Sequence, residues 1–443
     1  MSTPIAPEGR PIRVAPDRSR FLRGSRPFFY LADTAWSAFT NATLEEWAEY
    51  LEHRRLQGFT AVQLNILPQW DRSLGAAHPD PFRKGREGAW DYGAPNEEYF
   101  QRAVQMCAAA VQRGITPALV VLWCNYVPGT WASRRFPGRE IPLEAVEPYC
   151  RYVAQTFAPF QPIYLVSGDT DFLAPETTAT YLAALRAMKQ HAPDSLTTLH
   201  LSPDTELPEE VVDAGELDFY MYQSGHHVES QQRSYRLAER FGSKRVLRPV
   251  VNGEPCYEGI QYFRAHGRFR AFDVRRAVWQ SLLSGASAGV TYGAHGIWCW
   301  HRPGLSFGGT DEWNQPYGWR EALQFPGAWD AGFARWLFER YGLFELQPQQ
   351  ALLAGDGRGT EEIRAAATAD GGKVATYLPY AAELELALDL GGHECRLFDL
   401  AERRVLSPRL EHGKGKSKLQ LPGVNADLLL VAIRSQAEQG GRG

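Results

Sequence analysis

Much of what would assign this sequence quickly is missing from it. No run of about 18 apolar residues occurs in the 443 residues, which excludes an ordinary membrane-spanning helix. Neither G-x-G-x-x-G nor G-x-x-x-x-G-K-[ST] follows the first apolar strand, so a nucleotide-binding sheet has little support. A nucleophile elbow, G-x-S-x-G set at a strand-to-helix turn, is lacking too, and Ser-His-Asp chemistry fares poorly. There is no H-E-x-x-H. The six cysteines (Cys107, Cys124, Cys150, Cys256, Cys299 and Cys395) are scattered without a C-x-x-C pair. Free thiols in a reducing cytoplasm fit that pattern. Met1-Ser2-Thr3-Pro4-Ile5-Ala6-Pro7 carries no apolar signal core, so a cytoplasmic location is expected, and a secreted one only if a leader has been trimmed. Net charge is −4, and no basic stripe interleaves with aromatics, which argues against nucleic acid as partner.

What is present is tryptophan, thirteen of them, many in stretches between predicted helices and strands. Aromatic loops suit sugar stacking, although packing alone accounts for many tryptophans. An apolar fraction of 44% is ordinary for a folded protein.

Short β-rich runs alternate with amphipathic helical runs from about residue 28 to 340. The strands are expected at Phe28–Asp33, Ala61–Ile66, Pro117–Leu122, Ile163–Val166, Thr197–Leu201, Asp218–Tyr222, Val246–Val251 and Gly289–Tyr292. Helices are expected near 44–57, 97–113, 143–156, 177–191, 207–213, 229–241, 273–285 and 328–340. Thr43 and Glu46 stand at capping-box spacing before the first helix, and Gly58 stops it. Eight such units specify an α/β protein of the (β/α)8, or TIM, barrel type rather than an open doubly wound sheet. From about 344 short alternating runs joined by Gly-rich turns read as a smaller all-β sandwich. The expected division is therefore a barrel over 1–343 (1–20 an N-terminal extension), a sandwich over 344–436 and a flexible tail over 437–443. Lys414-Gly415-Lys416-Ser417-Lys418 reads as a solvated hairpin loop.

Two strand ends deliver a carboxyl group. Ile163-Tyr164-Leu165-Val166-Ser167-Gly168-Asp169-Thr170-Asp171 does so at the fourth strand, and Val250-Val251-Asn252-Gly253-Glu254-Pro255 at the seventh. In a barrel the C-terminal strand ends share one rim, where active sites are built. Two acids over one mouth are what glycoside hydrolysis needs, one to protonate the leaving oxygen and one to attack or activate water. Asp169 competes with Asp171, since an extended chain puts both on one side. Asp169 sits directly after the strand and is preferred as acid/base, with Asp171 orienting a hydroxyl or the partner carboxyl.

Polar and aromatic groups recur after nearly every other strand. They are Asp33 and Trp36; Asn65 and Gln69; Trp123, Asn125 and Tyr126; His200; Tyr222, Gln223 and His226; and Tyr292, His295, Trp298 and Trp300. Amides, imidazoles and indoles around two acids make a pocket for sugar hydroxyls and apolar sugar faces. A metal site built from His200, His226, His227 and His295 is the main rival, but adjacent histidines point apart on an extended segment and no ligand spacing recurs. No cofactor is expected. A carbohydrate-binding barrel without catalysis is the other alternative.

At these residues the chain resembles the apiosidase-like glycoside hydrolases (glycoside hydrolase family 140, the DUF4038 barrel). The segments that carry the resemblance are Pro27-Phe28-Phe29-Tyr30-Leu31-Ala32-Asp33-Thr34-Ala35-Trp36, Gln57-Gly58-Phe59-Thr60-Ala61-Val62-Gln63, Ser167-Gly168-Asp169, Asp218-Phe219-Tyr220-Met221-Tyr222-Gln223-Ser224-Gly225-His226, Asn252-Gly253-Glu254-Pro255-Cys256-Tyr257-Glu258 and Gly289-Val290-Thr291-Tyr292-Gly293. The resemblance implies a retaining, exo-acting hydrolase of a terminal sugar, furanosides included, with Asp169 as acid/base and Glu254 as nucleophile. Asp33, Trp36, Gln223 and His226 would line the sugar subsite. It also implies a collagen-binding-type β domain at the C-terminus, a label and not a function. Ser167 stands where the family commonly has glycine, and Leu397-Phe398-Asp399-Leu400 replaces its usual Trp-Tyr-Asp-Pro run.

Overall fold

The structure is a computed structural model that describes residues 11–75, 79–85, 89–262, 265–309, 315–354, 362–421 and 423–435. Eight parallel strands close into a barrel: β1 (Tyr30–Thr34), β2 (Ala61–Asn65), β3 (Thr116–Trp123), β4 (Ile163–Thr170), β5 (Thr197–Leu201), β6 (Tyr220–Gln223), β7 (Val250–Glu254) and β8 (Gly289–Tyr292). β8 pairs with β1 in register, Gly289 against Tyr30 and Tyr292 against Asp33, which seals the ring. Nearly every strand residue is buried, as expected of parallel strands covered on both faces.

The main helices α1 (Leu44–Leu56), α2 (Glu97–Gln112), α3 (Leu143–Phe157), α4 (Pro175–His191), α5 (Glu209–Asp213), α6 (Arg233–Gly242), α7 (Ala271–Leu282) and α8 (Gly327–Tyr341) fall within a few residues of their predicted places. The capping box of α1 forms in both directions, Glu46 N to Thr43 Oγ1 at 3.2 Å and Thr43 N to Glu46 Oε2 at 2.9 Å. The largest differences in strand bounds are in β4 and β7, the rest being within two residues. β4 runs on through Gly168 and Asp169 to Thr170. β7 starts at Val250 rather than Val246, because Arg248 is drawn aside to the carbonyls of Val212 and Ala214, each at 2.7 Å.

The predicted N-terminal extension is in part a structural element. Ile12–Val14, Phe21–Arg23 and Arg26–Phe28 form a three-stranded antiparallel sheet. Phe21 packs edge-on against Phe219 at 5.0 Å, at the entry to β6, so the sheet covers the N-terminal end of the barrel. Gly285-Ala286-Ser287-Ala288-Gly289 has the letters of a nucleophile elbow. It leads from α7 into β8, at the barrel end away from the rim, in the reverse sense to an elbow.

Beyond Glu345 the chain forms two antiparallel sheets, one of six strands and one of four. Leu410–Gly413 and Lys416–Leu419 make a hairpin, so the predicted basic loop reduces to its Lys414-Gly415 turn, both residues at positive φ. Lys416 and Lys418 pair with Glu385 and Glu383 at 2.6 and 3.1 Å. The β domain rests on the outer flank of the barrel. Arg275 of α7 donates to Asp427 of the β domain through Nε and a terminal nitrogen, at 2.9–3.1 Å, and to Asp330 of α8 at 2.8 Å. Arg403 reaches Asp330 from the other side at 2.8 Å. Tyr377, Phe398, Leu429 and Val431 join the same apolar core as the barrel. The last residues, Gly440 to Gly443, lie outside the described residues. Among the described residues no helix is long and apolar enough to cross a membrane.

Candidate active site

The C-terminal ends of the strands surround a cavity of about 270 Å³. Trp36 follows β1, Gln69, Trp70 and Asp71 follow β2, and Trp123 ends β3. Asp169 comes from β4, Gln223 and His226 from β6 and its loop, Glu254 and Tyr257 from β7 and its loop, and Trp298 from the loop after β8. Asp169 and Glu254, drawn from the fourth and seventh strands, share this one cavity.

Each acid is preceded by a glycine for a steric reason. A Cβ on Gly168 would lie 2.0 Å from Trp123 Cε3, and one on Gly253 would lie 2.3 Å from Met221 Cγ. Only glycine lets these neighbours pack there. Asp169 adopts φ +50°, a left-handed conformation uncommon outside glycine. It is held there by its own backbone. The Asp169 N–H donates to His200 Nδ1 at 3.1 Å, and its carbonyl accepts from Trp131 Nε1 at 2.8 Å. Backbone strain held by surrounding contacts is a recurrent property of functional positions.

The same imidazoles that fix the backbone reach Glu254. His226 donates from Nε2 to Glu254 Oε1 at 2.8 Å, while its Nδ1 accepts the Tyr257 N–H at 3.3 Å. His200 Nε2 lies 3.3 Å from Glu254 Oε2, a polar contact short of hydrogen-bond geometry. Because both Nδ1 atoms accept backbone amides, both rings carry their proton on Nε2, toward the carboxylate. Burial alone would raise the Glu254 carboxyl, but the hydrogen bond from His226 and the facing N–H of His200 outweigh it and hold Glu254 down to about 2. Asp169 is driven the opposite way. Burial, then the negative charges of Glu254, Asp71 and Asp171, push it well above the usual carboxylate range. The surroundings thus favour the anion at Glu254 and the protonated form at Asp169, the division that nucleophile and acid need.

Of the residues picked from sequence, Trp36, Gln69, Trp123, Asp169, Gln223, His226, Glu254 and Trp298 meet in the cavity, with His227 of the rival metal set beside them. The others do not line it. Asp33, expected in the sugar subsite, is fully buried behind the rim, where it accepts from Tyr50 Oη at 2.7 Å and Arg54 Nε at 2.6 Å. Asp171 turns away to accept the Trp131 N–H at 3.0 Å, which separates it from Asp169 despite their alternation; the φ of Asp169 breaks the extended run. His200 stands behind Glu254 and Trp123, stacked on the latter at 6.0 Å. Tyr222 donates to the Ser234 carbonyl at 2.7 Å and Tyr292 to Glu258 Oε2 at 2.8 Å, both inside the barrel wall. His295 accepts from Trp298 Nε1 at 3.1 Å and so positions a cavity indole without touching the cavity. Asn65 is buried at the end of β2, and Asn125 opens on a neighbouring cavity with Trp70 and Phe136. Among the described residues no group of three or more His, Cys, Asp or Glu side chains is arranged to hold a metal ion.

Several lining residues escaped the sequence reading. Asp71 is the most consequential: a third carboxyl in the cavity, which burial and the charge of Glu254 push up to about 7. Trp70 and Trp131, 5.5 Å apart and edge to face, form one wall. Tyr257 receives Trp36 Nε1 at 2.9 Å and packs on His226 at 4.4 Å. The cavity also keeps buried polar atoms without hydrogen-bond partners among the described residues: Gln69 Nε2, Asp71 Oδ1, Trp123 Nε1 and Gln223 Oε1. Such atoms cost about 1–3 kcal/mol each unless a ligand or water satisfies them.

Residues 17–345 match the family model described as "Apiosidase-like, catalytic domain". Among solved structures, a protein titled "Glycoside hydrolase" superposes with a TM-score of 0.80 at 19% identity, over 98% of this chain and 99% of that one. A glycoside hydrolase family 5 protein from Bacteroides vulgatus ATCC 8482 gives 0.78 at 21% identity, over 100% and 97%. At such identities the likeness is one of fold, and it covers the C-terminal β domain as well as the barrel. No curated protein matches the sequence.

Proposed function

This chain belongs to the apiosidase-like family and is a glycoside hydrolase, and from that premise we propose a retaining, exo-acting mechanism with Glu254 as nucleophile and Asp169 as acid/base. The observation that carries the proposal is that two carboxyls share one cavity, Glu254 held by imidazole N–H groups and Asp169 partly buried beside it without such donors among the described residues. Glu254 attacks the anomeric carbon to form a glycosyl ester, and the glycosidic C–O bond breaks. Asp169 passes its proton to the departing oxygen. In the second half Asp169, now ionised, takes a proton from water as that water attacks the anomeric carbon and releases Glu254.

The substrate proposed is a terminal sugar of the apiose type, a compact furanose, on an oligosaccharide or small glycoside. A cavity of about 270 Å³ lies at the small end of ligand pockets, which supports a single compact sugar ring over a longer chain. Trp36, Trp123 and Trp298 offer apolar faces, and the orphaned polar atoms offer partners to hydroxyls.

The test is a panel of aryl glycosides that includes apiofuranosides, with product stereochemistry followed by NMR. Wild type should release the sugar with retained configuration. Glu254→Gln should abolish turnover in a folded protein, and Glu254→Ala with azide should form a glycosyl azide. Asp169→Asn should lose about 10²–10⁴-fold on poor leaving groups, and far less on nitrophenyl glycosides that need no proton. Full activity of Glu254→Gln, or an inverted product, ends the assignment.

A further inference from the structure

The mechanism uses two of the three carboxyls in the cavity and leaves Asp71 without a task. Asp71 is the last of three consecutive lining residues, Gln69-Trp70-Asp71, in the loop that follows β2. The residue as a whole stays partly open to the cavity, but its carboxyl makes no hydrogen bond to the side chain of any described residue, and Oδ1 is buried without a partner among them. Gln69, 3% exposed, is in the same condition. Its Oε1 has only a long contact from Ser37 Oγ at 3.5 Å, and its Nε2 has no partner. One orphaned donor and one orphaned acceptor therefore stand two residues apart on one cavity wall.

The loop that carries them is rigid. Trp70 stacks on Phe136 at 4.8 Å and meets Trp131 edge-on. Asn41 Nδ2 holds the Ser73 carbonyl at 2.8 Å, and the amides of Ser73 and Leu74 bond to the carbonyls of Cys299 and Ser306 at 3.0 and 2.8 Å. A pinned loop that leaves two polar groups unsatisfied is costly unless a ligand completes them. The same preorganisation lets a site reject an analogue that lacks the matching hydroxyl.

We propose that Gln69 and Asp71 form a clamp that reads two neighbouring hydroxyls of the sugar held over Glu254, Gln69 Nε2 donating to one oxygen and the Asp71 carboxyl accepting from the other. The clamp rests on the glycoside reading above and names its specificity-determining residues. They touch no reacting atom. Their loss acts on binding and on discrimination between sugars, not on the leaving group.

The experiment uses the full chain as wild type, Asp71→Asn, Asp71→Ala and Gln69→Ala, each checked for folding by circular dichroism. Kinetics are measured with 4-nitrophenyl apiofuranoside and its 2-deoxy and 3-deoxy analogues, and D-apiose binding by calorimetry. Asp71→Ala should raise KM on the parent glycoside about ten- to a hundredfold, the worth of a hydrogen bond to a charged group. On the deoxy analogue lacking the hydroxyl that Asp71 reads, the same substitution should cost little. Asp71→Asn should fall between. Equal losses on the parent and both deoxy glycosides overturn the clamp in favour of a purely structural role, and so does a wild-type KM in Asp71→Ala. Should Asp71→Ala fail to fold, Asp71→Asn and Gln69→Ala decide by the same comparison. If wild type cleaves nothing yet binds D-apiose, and Asp71→Ala weakens that binding alike, the hydrolase assignment fails while the clamp stands. No binding of D-apiose and no turnover by wild type removes both.

Discussion

Replacing His226 by phenylalanine keeps a ring against Tyr257 but removes the donor to Glu254. That donor reaches Oε1 at 2.8 Å, and a hydrogen bond to an ionised group contributes about 1.5–3 kcal/mol. At 1.36 kcal/mol per pKa unit the loss moves Glu254 up by about 1–2 units. From about 2 in the wild type it should reach about 3–4, since burial still opposes the anion. The sign follows from the roles. The nucleophile works ionised, so activity is present above its pKa and is lost as pH falls through it. Asp169 works protonated, so activity is lost as pH rises through its elevated pKa. Wild-type kcat/KM should stay flat into acid and be limited on the alkaline side, and His226→Phe should bring the acid limb into the pH 3–4 range. The assay is a stopped reaction with a nitrophenyl glycoside from pH 3 to pH 9, with circular dichroism at each point. His226→Gln, which restores an amide donor, should lie between the two. An unmoved acid limb in folded His226→Phe would refute the reasoning.

Two further outcomes follow from packing. Gly168→Ala would set a methyl carbon 2.0 Å from Trp123, so either the indole or Asp169 must move; a displacement near 1 Å at a catalytic group can cost about 10²-fold in kcat/KM, and wild-type kinetics in Gly168→Ala would show the contact to be yielding. Arg275→Met strips the counter-charge from Asp427, whose side chain is 1% exposed. Breaking a buried pair from one side costs about 3–5 kcal/mol, so calorimetry should show unfolding a few degrees lower, and an unchanged melting temperature would mean the pair contributes no net stability.

The barrel was legible because its units repeat at regular spacing and because both acids sit where a parallel strand meets the rim. Asp169 and Glu254 could be found that way, since a glycine followed by an acid at the end of an apolar run is a local pattern. Asp33 also ends an apolar run, after alanine rather than glycine, and lies elsewhere. Its neighbours Tyr50 and Arg54 are on α1, and nothing in the local sequence says that an arginine one helix away will claim the carboxylate. Asp171 was separated from Asp169 by a single left-handed residue, a feature that strand alternation does not anticipate. Asp71 was missed for the opposite reason: it stands several residues past β2, in a loop whose path is set by contacts to residues 299 and 306. The available signal was the run Gln69-Trp70-Asp71 itself, an indole flanked by two polar side chains, after a strand whose neighbours all supply sugar-facing groups. In the β domain a hairpin loop was expected at 414–418, but its strands at 410–413 and 416–419 went unread because their outward side chains are mostly charged, and charge reads as loop when the partner strand is unknown.

The shared apolar core of barrel and β domain makes the C-terminal sheets a buttress rather than a passenger. Tyr377, Phe398, Leu429 and Val431 turn inward onto the barrel flank, and the arginine–aspartate lattice closes over them. A chain cut after α8 would present that flank bare to solvent, as an adhesive face. The joint between the parts is packed rather than loose, unlike that of a tethered appendage.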